Sequence, residues 1–152
     1  SFLKGETLNI VMPHNHLNIQ GQATGEIVGG NLSMLYSMRG TELDIDTDGK
    51  ILFIEDLDEY LYHIDRMMMN LKLGDKLSNL KGLIIGGMSD MNDNTVPYGK
   101  TAKEIIADHV KGYDYPVAFS FPAGHIKPNI PIKLGSIISL NVSDLNSVVT
   151  YQ

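Results

Sequence analysis

Three strongly apolar, β-favouring runs, ILFIED at 51–56, LKGLIIGG at 80–87 and PVAFSFP at 116–122, are separated by stretches of helical length. This alternation limits the fold more than any other feature of the chain. In the first intervening stretch, DEYLYHIDRMMMNLKLG, the residues Leu61, Ile64, Met68 and Leu71 recur at i, i+3 and i+4, and Gly74 closes the pattern. The second stretch holds TAKEIIADHV, another short amphipathic segment. Strands joined by helical crossovers pair in parallel, because a tight turn cannot return the chain to the same end of a sheet. The fold class expected is therefore α/β with a parallel βαβ core.

The two ends of the chain read differently. TLNIV, LNIQ and ATGEIV are short β-type runs punctuated by Pro13, the Asn and His residues at 14–16, Gly21 and Gly25. SIISLNV and SVVTY alternate apolar and polar residues around a turn at Asp144 and Asn146, the pattern of a hairpin. A small β unit built from both chain ends is expected beside the core. Between the first unit and the core, Asn31 stands as an N-cap before Leu32, Leu35 and Met38, with Gly40 after them, so a short helix is expected over 31–38.

With 152 residues, of which 43% are hydrophobic, the chain is expected to form one domain over residues 1–152. A chain of this size buries roughly two-thirds of its unfolded surface. The formal charge is -6, and the 12 Lys and Arg are dispersed, so nucleic acid is not an expected partner. No apolar run approaches the ~20 residues that cross a bilayer, so no membrane span is expected. The absence of cysteine removes disulfides, thiolate metal sites and cysteine nucleophiles together, and fits a cytoplasmic setting. From Ser1 onward no secretory signal pattern is visible.

Position admits Glu55 and His125 among the candidate site residues. Each lies just past the carboxyl end of an expected parallel strand, where open α/β sheets gather their ligand-binding groups. Gly124 and Pro122 flank a loop able to aim an imidazole. Three segments, GEIVGGNLSML at 25–35, ILFIEDLDEYLYHIDRMM at 51–68 and FSFPAGHIKPNIPIKLG at 119–135, resemble in order and spacing the C-terminal half of the LD-carboxypeptidases, or muramoyltetrapeptide carboxypeptidases. Microcin C immunity peptidases are relatives of that family. The resemblance implies a swivelling β/β/α-like C-terminal domain and a Ser-His-Glu triad. In it Glu55 and His125 are catalytic, and the serine comes from an N-terminal domain that this chain lacks. It further implies a muropeptide substrate cleaved at an L,D-peptide bond in peptidoglycan recycling, no cofactor, and association as a homodimer. The chain alone is then expected to be inactive. A histidine that takes a serine proton needs an acceptor on its other ring nitrogen, and a carboxylate such as Glu55 supplies one.

Several other patterns compete. Gly87, Met88, Ser89 and Asp90 imitate the family's nucleophile sequence, but Ser89 follows Glu55 where the family's serine precedes it, and no G-x-S-x-G elbow surrounds it. Asp44, Asp46, Asp48, Gly49 and Glu55 fit a calcium loop, and a calcium-binding module is the alternative function they suggest. Against it, Ile51 to Ile54 favour a strand where that loop passes into a helix. A catalytically silent binding domain of the same fold is a further alternative. His14 and His16 lack a third ligand nearby and read as a polar loop. His63 and Arg66 read as helix charge pairing with Asp58, Glu59 and Asp65, and Met67, Met68 and Met69 as core filling. Gly29, Gly30 and Asn31 read first as a shaped strand-to-helix turn.

Overall fold

The computed structural model describes residues 8–152. Thr7, the first residue of the TLNIV run, lies outside them. The strands are β1 (Asn9–Pro13), β2 (Gly21–Asn31), β3 (Ile51–Leu57), β4 (Gly82–Ser89), β5 (Val117–Ala118), β6 (Ile137–Val142) and β7 (Asn146–Tyr151). The helices are α1 (Leu32–Ser37), α2 (Leu61–Leu73) and α3 (Ala102–Val110). All seven strands form one sheet in the order β1-β7-β6-β2-β3-β4-β5.

The two expected β units are therefore one sheet, and β2 joins them. Its first half, Gly21–Glu26, pairs antiparallel with β6, and its second half, from Ile27 to Asn31, pairs parallel with β3. The strands at the chain ends, β1 and β7, pair antiparallel at the sheet edge, and β6 and β7 form the expected hairpin. LNIQ is not a strand: only Ile19 makes a bridge, to Val117. PVAFSFP contributes just two strand residues, because Ser120 adopts a left-handed φ of 67° that turns the chain.

The parallel half is buried on both faces, one under the helices and the other against the antiparallel strands. Leu52 and Ile54 face a core made with Ile64, Met67, Met68 and Leu71 of α2 and Ile105, Ile106 and Val110 of α3. Ile51 and Phe53 face the opposite core, shared with Ile138, Leu140 and Val149 of the antiparallel half. Met69, in contrast to its two neighbours, is largely exposed. Asn31 caps α1 as expected, its side chain accepting from the Met34 amide. A capping box at Thr101 and Glu104 starts α3.

Candidate active site

β3 delivers Glu55 to the carboxyl-end rim of the parallel sheet and leaves it only 5% exposed. A buried carboxylate is costly unless hydrogen bonds and a cation satisfy it. Its Oε2 accepts from Nδ1 of His125 at 2.8 Å and from the His125 amide at 3.3 Å, and its Oε1 accepts from Asn31 Nδ2 at 3.3 Å. The two residues picked out along the sequence are thus brought into direct contact.

His125 is aimed by a loop that lies against the end of β4. Between Ile54 and Asp56 the register with β4 advances from Ile85 to Met88, so β4 carries a bulge at Gly86 and Gly87, opposite Glu55. The loop uses that bulge: the Phe121 amide donates to Ile85 O and the Gly87 amide to Ala123 O, both at 2.9 Å. A Cβ on Gly86 would stand 2.5 Å from Ala123 O. At the tip, Gly124 has a φ of 106°, and a Cβ there would meet Glu55 Oε2 at 2.8 Å. Glycine is needed at that point for both conformation and space. Ser89 completes the support, its hydroxyl donating to the backbone oxygen of His125 at 2.7 Å. It therefore ties down the histidine loop through the main chain.

The imidazole itself is 54% exposed, and among the described residues no group pairs with its Nε2. It borders an open cleft of about 360 Å³ together with Gly124, Ile126, Lys127 and Asn129. Glu55, through its hydrogen bond first and its charge second, holds the imidazole above the ordinary histidine pKa; Asp56 adds to this, and desolvation opposes it. With Nδ1 donating to a carboxylate, the free Nε2 is the nitrogen able to accept a proton from a group arriving in the cleft.

The competing patterns separate from this pair. Asp44 is held by Arg39 and Lys76, Asp46 by Lys50, and Asp48 by Asn79, while Glu55 faces His125. Residues 51–57 continue as a strand. Among the described residues, no group of three or more His, Cys, Asp or Glu converges so as to hold a metal ion. His14 and His16 are exposed beyond β1. His63 pairs with Glu59 one turn away, as expected, whereas Arg66 makes no ion pair with Asp58, Glu59 or Asp65 and lies over the Tyr62 ring instead. Asp65 instead reaches across to His109 of α3 at 2.6 Å. Sequence reasoning found the capping role of Asn31 but passed over Asp56 and the contacts of Asn31 Nδ2 with both acids. The adjacent acids at 55–56 and the Asn that ends the GGN turn were the available signals.

An α/β domain thus holds a buried carboxylate against an exposed imidazole on the rim of its parallel strands, a pair able to exchange a proton with a group in the cleft. Comparison with known proteins gives the family. The sequence profile of the LD-carboxypeptidase C-terminal domain matches residues 24–140, and the chain belongs to that family. A probable murein peptide carboxypeptidase of Bacillus subtilis is 38% identical over 135 residues, covering 86% of this chain and 41% of its own length. The microcin C7 self-immunity protein MccF of Escherichia coli is 27% identical over 136 residues, covering 87% of this chain and 38% of its own length. Muramoyltetrapeptide carboxypeptidase from Oxalobacter formigenes superposes with a TM-score of 0.88 at 25% identity, over 99% of this chain and 51% of that one. The chain thus spans about two-fifths of the length of these curated relatives.

Proposed function

We propose that this chain is the C-terminal catalytic domain of a serine LD-carboxypeptidase that removes a terminal D-amino acid from muropeptides by cleaving an L,D-peptide bond. The observation that carries the reading is the 2.8 Å contact between His125 Nδ1 and Glu55 Oε2, with Nε2 left toward the cleft. His125 acts as general base toward a serine supplied by an N-terminal domain of the parent protein. It then returns the proton to the leaving amine. Glu55 fixes the tautomer and stabilises the imidazolium. The acyl-enzyme is hydrolysed by the same histidine working on water. Peptidoglycan recycling in the cytoplasm is the setting proposed, and a homodimer of the parent the assembly.

The test is release of the terminal D-amino acid from a muramyl tetrapeptide, followed by mass spectrometry. The parent protein is expected to release it, and this chain alone is expected not to. Turnover by the chain alone, or none by the parent, would overturn the reading. Loss of turnover by the chain alone in Ser89→Ala would then point to Ser89 as its nucleophile.

A further inference from the structure

We propose that Asn31 and Asp56 are positioning residues for Glu55, forming a second layer behind the acid–imidazole pair. The proposal rests on Glu55 being the acid that orients His125.

Asn31 ends β2 directly opposite Glu55 in the parallel register. Its Oδ1 is committed to α1, accepting from the Met34 amide at 3.1 Å and from the Ser33 hydroxyl at 2.6 Å. Two donors on that oxygen fix the amide's orientation, so Nδ2 must point the other way. There it meets two carboxylates, Glu55 Oε1 at 3.3 Å and Asp56 Oδ1 at 3.0 Å. Asp56 is itself immobilised, Oδ1 also taking the Leu57 amide at 2.8 Å and Oδ2 the Ser33 amide at 2.9 Å.

The consequence for Glu55 is directional. His125 holds only Oε2, and one oxygen leaves the carboxylate free to rotate about its last bond. Asn31 on Oε1 removes that freedom and satisfies an acceptor that would otherwise be buried without a partner. Asp56, 1% exposed, is kept buried beside a second acid. Burial is the largest influence on its carboxyl and pushes its pKa up, the Leu57 amide, Asn31 and the Ser33 amide pull it down, and the charge of Glu59 adds to the rise. A carboxylate held in so unfavourable a place would be replaced at little cost if it only filled space. Here it aims the one amide that aims Glu55.

The readout is the titration of the His125 imidazole in this chain, followed by heteronuclear NMR. The charged groups acting on that imidazole are Glu55 and Asp56. Glu55→Gln is the reference and is expected to move the midpoint down. Asn31→Ser keeps a capping oxygen for α1 and removes only the Nδ2 donor. Asp56→Asn leaves the cap residue untouched, so a folding failure of the serine variant does not decide the matter. Both are expected to lower the His125 midpoint while the His63 and His109 signals stay where the wild type has them. In the parent protein, each is expected to lower kcat about 10- to 100-fold with KM little changed, the usual scale for losing an outer partner of a site. If Glu55→Gln leaves the midpoint unmoved, the pair itself fails. If Glu55→Gln moves it and Asn31→Ser, which removes no charge, does not, or if Asp56→Asn lowers the midpoint through its lost charge but leaves kcat of the parent unchanged, the positioning role alone fails.

Discussion

Of the three histidine–carboxylate pairs among the described residues, His63–Glu59, His109–Asp65 and His125–Glu55, the last two have nearly equal length and reversed burial. In one, Glu55 is buried and His125 is 54% exposed, joined at 2.8 Å. In the other, His109 is 7% exposed and Asp65 43%, joined at 2.6 Å. The second pair bridges α2 and α3 and lies on regular helices, so its imidazole is spent on packing. The first is held by a strand end, a β-bulge and a glycine-tipped loop, and it offers Nε2 to the cleft. Bond length does not separate the two pairs. Which partner is anchored, and which faces outward, does.

The largest effect that could break this contrast comes from deleting the imidazoles. His125→Ala in the parent protein is expected to lower kcat/KM by about 10⁴, the scale of losing a triad member, with a melting temperature lowered mainly at acidic pH, where the pair with Glu55 is charged. His109→Ala is expected to do the reverse, costing about 1–3 kcal/mol of stability through a lost buried side chain and hydrogen bond. Chemical denaturation and steady-state kinetics on both variants decide it.

Next comes Gly124→Ala, which puts a Cβ against Glu55 Oε2 at a φ of 106°. Strain of this kind costs about 1–3 kcal/mol. Because the clash falls on the acid, kcat is expected to drop at least tenfold, again read by steady-state kinetics.

The pH dependence sharpens the same contrast. His125 must be neutral to accept a proton, and its pKa is raised, so the acid limb of the parent's kcat/KM profile is expected above the ordinary histidine value of about 6.5. Glu55→Gln is expected to move that limb down. The sign for folding is opposite. The native state holds this proton more tightly than the unfolded chain, so the pair's contribution is fully present below about pH 6.5. It fades as pH rises through the native midpoint. Denaturation of wild type and Glu55→Gln at both ends of that window should show the larger difference at the acidic end.

The smallest effect belongs to Ser89→Ala. Losing its hydrogen bond to the His125 carbonyl removes about 0.5–1.5 kcal/mol, so activity of the parent should fall tenfold at most. Complete loss would make Ser89 more than a support for the loop.

The Glu55–His125 contact was legible chiefly through the family resemblance of ILFIED and FSFPAGH; strand reasoning put both residues just past strand ends, whereas Glu55 lies inside β3 and His125 seven residues beyond β5. The continuity of the sheet was not. Gly25 and its neighbours read as turn signals, yet Gly25 and Gly29 lie inside β2. Gly29 is there because a Cβ would stand 1.9 Å from Phe53 O, a close approach no pattern announces. LNIQ alternates like a strand but follows a polar turn and makes a single bridge. Asn31 was read as a cap and loop former, which it is. Its second role depends on what Nδ2 meets, and those carboxylates lie 24 and 25 positions further along the chain.

The most direct test sets the two acids side by side, with kcat/KM of the parent protein measured on a muramyl tetrapeptide for Glu55→Gln and Asp65→Asn. Glu55→Gln is expected to lose about 10³- to 10⁴-fold and Asp65→Asn no more than about threefold. Equal losses, or a Glu55→Gln enzyme within tenfold of wild type, would contradict the assignment of Glu55 and His125 as the acid and base of the site.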